Sequence, residues 1–407
     1  MNILYISYDG ALDPLGSSQI IPYLLELGGK GVNFTLLTYE KKERLTDTDK
    51  VSNLKKLLRG KNIKWEILVY HKNPALPATV FDIFLGTLKG FFIVLSDKIQ
   101  VIHARSFIGA IPAFLLSKIL NRKFIFDMRG FWADERIDGN IWKNKGLLYR
   151  IAKWWEKVFF LNADWVVCLT QEAKRIIKDF PYLKERNFNI DVIPTCADTV
   201  RFCLKNQAEN SSTRLNLKDR FIFTYFGSIG TWYMLTEMID FFKAVKSINR
   251  NSFFMILTPD KNLASREFEK NNVSSLDYLI EYVPYENIPD WLSFADASLY
   301  FIKPAYSKKS SCPTKFAESL ACGLPVVVNS GIGDVDRFVA DYNVGVIIEE
   351  FCEKEYIRAA IDLFAKLNDR NAIRRNCRKV AEDFYSLEKG SKGYWNIYQK
   401  VATAEAK

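Results

Sequence analysis

The residues best suited to chemistry lie in one run, Cys312-Pro313-Thr314-Lys315-Phe316-Ala317-Glu318-Ser319-Leu320-Ala321-Cys322-Gly323-Leu324-Pro325. Thr314 has the side chain of a helix N-cap, and the free N–H groups after it form an anion site to which Lys315 adds a full positive charge. A phosphate suits that place. Glu318 follows about one turn later, before a Gly323 that ends the helix and a Pro325 that opens a strand, so its oxygens can accept from two ribose hydroxyls. On spacing alone, a solvated helix face is the better account of Lys315 and Glu318, and it is the surrounding sequence that reverses the preference. A second run, Tyr225-Phe226-Gly227-Ser228-Ile229-Gly230, offers glycines that let backbone approach a diphosphate, with Ser228 and Thr231 as hydroxyl donors. A plain strand-to-helix turn is the alternative.

Two further segments, Val101 to Ser106 and Phe126 to Arg136, bring polar groups to the ends of apolar runs. Arg129 is always charged, so it cannot act as a base but can stabilise a departing diphosphate, as can Arg105. Asp127, Asp134 and Glu135 can orient a hydroxyl or pair with Arg129 and Arg136. His103 is either a core histidine or a group of the site. The loop Asp9 to Ser18 carries Gly16 before a helix that Ser17 or Ser18 can cap, and its N–H groups can meet an oxyanion. With only two histidines, His71 and His103, no histidine-rich metal centre is expected.

These groups need a scaffold, and short apolar runs alternating with helical patterns supply one: Ile3 to Tyr8, Asn33 to Thr38, Lys64 to Tyr70, Gln100 to Ala104, Lys123 to Phe126 and Trp165 to Leu169. Such alternation predicts a doubly wound parallel sheet, with helices at 18–30, 52–58, 109–120 and 147–161. Periodicity fails near Pro194, and Lys205 to Arg214 reads as a surface linker. A second α/β series begins at Phe221. The expectation is two doubly wound Rossmann-like domains, 1–200 and 201–385, facing a central cleft, with a tail helix at 386–407 returning to the first domain. No G-x-G-x-x-G follows the first strand, which counts against a nicotinamide-dependent oxidoreductase.

The 407 residues carry a net charge of +10, and the first 200 hold 29 basic against 21 acidic residues. One half therefore favours an anionic surface or ligand. Seven cysteines without C-x-x-C spacing, and no readable secretory signal, point to a reducing cytoplasm. Val80 to Leu95 is too short to cross a bilayer and reads as a core helix, with a helix resting in a lipid interface as the alternative. Lys143 to Phe160 interleaves Trp154 and Trp155 with Lys153 and Lys157, which suits either a core-facing helix or peripheral attachment to the inner face of an anionic membrane.

The run Pro313 to Val328 resembles the donor-site signature of family 4 glycosyltransferases, and Tyr225 to Gly230 resembles the glycine loop that opens their second domain. The resemblance implies the GT-B fold and metal-independent sugar transfer, with retention, from a nucleotide diphosphate sugar to a lipid-linked or polysaccharide acceptor in cell-surface glycan synthesis. It implies no cofactor and no nucleic-acid partner. Donor contacts would come from Gly16, Gly227, Ser228, Thr314, Lys315 and Glu318, with the backbone at Val283 and Pro284 reading the base. His103, Asp127, Arg129 and Glu135 become the candidates for catalysis. The chain departs from the pattern at Ser310, where many members have a first glutamate, at Trp232 and Tyr233, where many have a basic pair, and at Arg129, which replaces a histidine. A noncatalytic basic module that binds membrane or nucleic acid is the other class compatible with the charge.

Overall fold

A computed structural model describes residues 1–205, 217 and 219–403. The expected linker falls outside them beyond Lys205. The chain forms two compact units, Met1–Pro194 with Leu387–Lys407, and Thr195–Ser386. The division thus falls six residues before the expected one, and the closing helix Leu387–Thr403 is counted with the first unit.

The first unit is a seven-stranded parallel sheet in the order β3-β2-β1-β4-β5-β6-β7. Its strands are β1 (Asn2–Ser7), β2 (Asn33–Glu40), β3 (Ile63–Val69), β4 (Val101–Arg105), β5 (Lys123–Asp127), β6 (Trp165–Cys168) and β7 (Ile190–Val192). Ile3, Leu4, Tyr5 and Ile6 are all buried, the near-continuous apolar run of a strand covered on both faces. The second unit repeats the plan with six parallel strands, β10-β9-β8-β11-β12-β13. These are β8 (Phe221–Phe226), β9 (Ser252–Leu257), β10 (Tyr278–Glu281), β11 (Ala297–Leu299), β12 (Val326–Asn329) and β13 (Gly345–Ile348). In each unit the order reverses once, between β1 and β4 and between β8 and β11. Ligands of doubly wound sheets bind beyond the carboxyl ends of strands at such points.

Two helical segments differ from expectation. The segment 18–30 is two helices, Pro14–Gln19 and Ile21–Gly28, because Pro22 lacks the N–H that would continue the first. Ser17 and Ser18 therefore lie inside a helix and donate to the Pro14 carbonyl instead of capping it. The expected core helix at 80–95 extends over Ala75–Ser96, 22 residues, and leaves Val80, Phe81, Phe84, Leu88, Phe92 and Leu95 exposed. It is not a core helix: its buried positions are Ala78, Asp82, Gly86, Gly90, Ile93 and Val94.

Candidate active site

In the second unit, β8 runs out at Phe226 into Gly227, whose φ of +110° lies in the region glycine alone enters cheaply. A Cβ added there would sit 2.8 Å from the Lys315 Nζ. The two motifs singled out in the sequence therefore meet, with the ammonium lying on the glycine backbone. Lys315 is only 7% exposed. Its Nζ lies 3.8 Å from the centroid of the Tyr233 ring and 5.1 Å from that of Tyr225, so the aromatic faces carry much of its desolvation. Among the described residues no carboxylate is placed to form a salt bridge with it.

Lys315 and Glu318 share the helix Thr314–Ala321. Thr314 is not the cap: Pro313 occupies that position, no side chain caps the helix, and Thr314 is its first residue. Glu318 is buried and accepts a 2.7 Å hydrogen bond from the Tyr285 hydroxyl. Burial raises its pKa above the ordinary glutamate value, against the Tyr285 hydrogen bond and the charges of Lys315 and Arg201. Arg201 lies 4.6 Å over the Tyr285 ring and donates to its carbonyl at 2.8 Å, fixing the residue that fixes Glu318. Sequence reading missed Arg201, which carries no motif.

Trp232 and Tyr233 stand where a basic pair was expected, and each carries a lysine on its ring from another element. Lys308 Nζ lies 3.6 Å over Trp232, as Lys315 does over Tyr233. Positive charge thus reaches this region through residues distant in sequence. Ser310 is buried and its hydroxyl donates to the Ser307 carbonyl. Ser228 is exposed beside the loop, and the next N–H, of Ile229, donates to Asp260. Val283 and Pro284 follow β10, where the Pro284 carbonyl accepts from the Asn287 N–H.

The first unit separates its candidates. Gly16 is needed for packing, since a Cβ there would lie 2.0 Å from the Gly10 carbonyl. Two of the loop's N–H groups are already engaged: those of Ala11 and Leu12 donate to the buried side chain of Glu40, at 2.6 and 3.2 Å. His103 lies within β4, fully buried, with Nδ1 2.6 Å from the Tyr398 hydroxyl and Nε2 3.6 Å from Asp127. It is a core histidine, not a group at the strand's end.

Asp127 closes β5, is also fully buried, and accepts from the Tyr394 hydroxyl at 2.7 Å. Burial would raise its pKa, but Arg129, His103 and Arg105 outweigh burial and hold it below the ordinary value. Arg129 has a φ of +56° and places Nη1 3.8 Å from Asp127 and 3.4 Å from the Tyr394 hydroxyl. Arg105, 2% exposed, ends the neighbouring strand. Two arginines are thus gathered at the switch point of this sheet. Glu135 sits beyond them on the helix Trp132–Asp138, half-buried. Asp134 is bound by Tyr149 and Lys153, while Arg136 stacks on Trp132 rather than pairing with it.

Burial lowers the pKa of His103, with Asp127 opposing. The folded state therefore keeps it neutral while the unfolded chain takes up a proton below ~6.5, so its contribution is intact above that value and is lost as pH falls. We expect urea stability to drop by up to about 1.4 kcal/mol per pH unit below ~6.5. His103→Gln should flatten that slope, and an unchanged slope would assign it to other groups.

No group of three or more His, Cys, Asp or Glu side chains among the described residues is placed to hold a metal ion. The whole chain is similar to a glycosyltransferase from Rickettsia africae, at 15% identity and a TM-score of 0.74, covering 99% of both chains. It is similar to a sucrose-phosphate synthase from Thermosynechococcus elongatus (12%, 0.71, 98% of each chain). It also resembles HepE from Anabaena in complex with UDP (12%, 0.71, 98% of this chain and 100% of that one). At these identities the likeness establishes the fold. No curated protein matches the sequence significantly. Residues 24–201 match Glycosyltransferase Family 4 and residues 206–380 match Glycosyl transferases group 1. With both halves matched in this order on two parallel sheets, the chain belongs to the family 4 glycosyltransferases and has the GT-B fold.

Proposed function

We propose that the protein transfers a sugar, with retention of configuration and without a metal ion, from a nucleotide diphosphate sugar to a lipid-linked or polysaccharide acceptor in cell-surface glycan synthesis. The observation that carries this reading is Lys315, a nearly buried ammonium resting on Gly227 with aromatic rings about it. Charge that grows on a departing diphosphate is best stabilised by a fixed cation in a water-poor site. Lys315 and the first-turn N–H groups of its helix perform that role, and Lys308 adds charge beside them. Glu318, held by Tyr285, accepts from the donor's ribose hydroxyls. The HepE complex makes uridine diphosphate the first donor nucleotide to test.

A thermal-shift panel of UDP, GDP, ADP and CDP tests the site directly. A nucleotide at 100 times its Kd should add ~2.7 kcal/mol of stability. We expect one nucleotide to stand out, and the corresponding nucleotide sugar to be turned over equally with and without excess EDTA. Equal, negligible shifts with all four would remove the donor-site assignment, and loss of turnover restored by a divalent ion would remove metal independence.

A further inference from the structure

The helix Ala75–Ser96 is built inside out. Its sheet-facing side carries Ala78, Gly86 and Gly90, with the glycines pressed so close that a Cβ would lie 1.8 Å from the Tyr39 hydroxyl and 2.5 Å from Leu116. Its outer side carries Leu76, Val80, Phe81, Phe84, Leu88, Phe92 and Leu95, between 46% and 60% exposed. A soluble helix places its large apolar residues the other way round. The length and composition would also suit a membrane span. However, the helix crosses over from the edge strand β3 to β4 of one parallel sheet and packs on Ser106–Ile119 and on the intervening β1 and β2, so in this fold it lies on the sheet instead of spanning a bilayer.

The apolar face continues across neighbouring helices of the same unit. Ser106–Ile119 packs on one side against Ala75–Ser96 and on the other against Leu147–Asn162, whose Leu147, Leu148, Ile151 and Trp154 are exposed, as is Ile119. Charge on these three helices is one-sided. Their two acidic residues, Asp82 and Glu156, are buried, while Lys118, Arg150 and Lys157 are exposed and Lys143 and Lys145 stand just before the third helix. Lys153 is taken up by Asp134 and Glu156 and is not part of this charge. Lys89 is likewise taken up by Glu66 of β3. Exposed aromatics flanked by Lys118, Arg150 and Lys157 match the interface of an anionic bilayer, where apolar side chains enter the acyl boundary and cations meet headgroups.

We infer that this three-helix face docks the protein on an anionic membrane surface, with Phe84, Leu88, Phe92 and Trp154 as the inserting groups. The inference rests on the proposed function only in making a lipid-linked acceptor accessible; the surface itself is argued from exposure and charge. Sedimentation of the full chain with vesicles of phosphatidylglycerol and phosphatidylcholine, against phosphatidylcholine alone, tests it. We expect at least tenfold stronger partition to the anionic vesicles, weakened by high salt, and blue-shifted tryptophan emission quenched by brominated lipid. Phe84→Ser with Phe92→Ser should cut partition at least tenfold while leaving nucleotide binding unchanged. Lys118→Glu with Arg150→Glu should remove the anionic preference, which gives a second reading should the first variant fail to fold. Equal partition to both vesicles, or none, overturns the inference. So does a stable dimer that the phenylalanine variant dissociates, since a second copy would then cover the face. Vesicle binding without nucleotide binding would sink the proposed function and leave docking intact, and the reverse result would do the opposite.

Discussion

Replacing Lys315 by alanine is expected to weaken nucleotide diphosphate binding by roughly ten- to hundredfold, the size of a lost charged hydrogen bond at about 1.5–3 kcal/mol. The loss should appear in the diphosphate and much less in the free nucleoside, because the ammonium lies on Gly227, where backbone can approach phosphate. Turnover should fall further than affinity if the cation meets charge that grows as the sugar leaves. The fold should survive, since among the described residues Lys315 forms no salt bridge whose loss would strand a buried carboxylate; it rests against Gly227 and the rings of Tyr225 and Tyr233. Glu318→Gln should cost less, because an amide still accepts from Tyr285. Isothermal titration with UDP and UMP checks both variants. Wild-type affinity for the diphosphate in Lys315→Ala would place the donor site elsewhere.

The meeting of Lys315 with Gly227 was legible because its parts are local. Lys315 and Glu318 lie on one helix, and Gly227 ends one strand, so a short run of sequence carries both position and chemistry. The sheets were legible for a similar reason: fully buried parallel strands are apolar runs such as Ile3 to Ile6. What escaped depends on contacts between distant segments. Glu40 gives no sign in sequence that it fills the loop after β1, and Tyr398 and Tyr394 reach His103 and Asp127 from the last helix of the chain. The 75–96 helix reads as core in the sequence because an apolar segment has the same composition whichever side faces the sheet. Only its glycines at 86 and 90, spaced by four, hint that the close-packed side is the one without large side chains.

Asp127→Ala is expected to destabilise the first unit by about 3–5 kcal/mol, the usual cost of stripping a buried charge of its partner. The carboxylate is fully buried beneath Arg129, accepts from Tyr394, and lies 3.6 Å from His103. Its removal takes the carboxylate from beside the Arg129 guanidinium and deprives the Tyr394 hydroxyl of its acceptor, and against a typical total of about 5–15 kcal/mol that is a large fraction. Asp127→Asn keeps the shape and the acceptor but loses the charge, so it should fall between. These expectations treat Asp127 as a group that positions Arg129 rather than one that touches substrate. Two results separate the roles. If Asp127→Asn with Arg129→Met, which removes both charges, recovers most of the stability by urea unfolding, the pair is a structural unit, because a neutral replacement of a buried ion pair is often tolerated. If instead Asp127→Asn is as stable as the parent but turnover collapses with nucleotide affinity intact, the carboxylate acts on the reaction itself, and the buried site at the end of β5 must open to the acceptor.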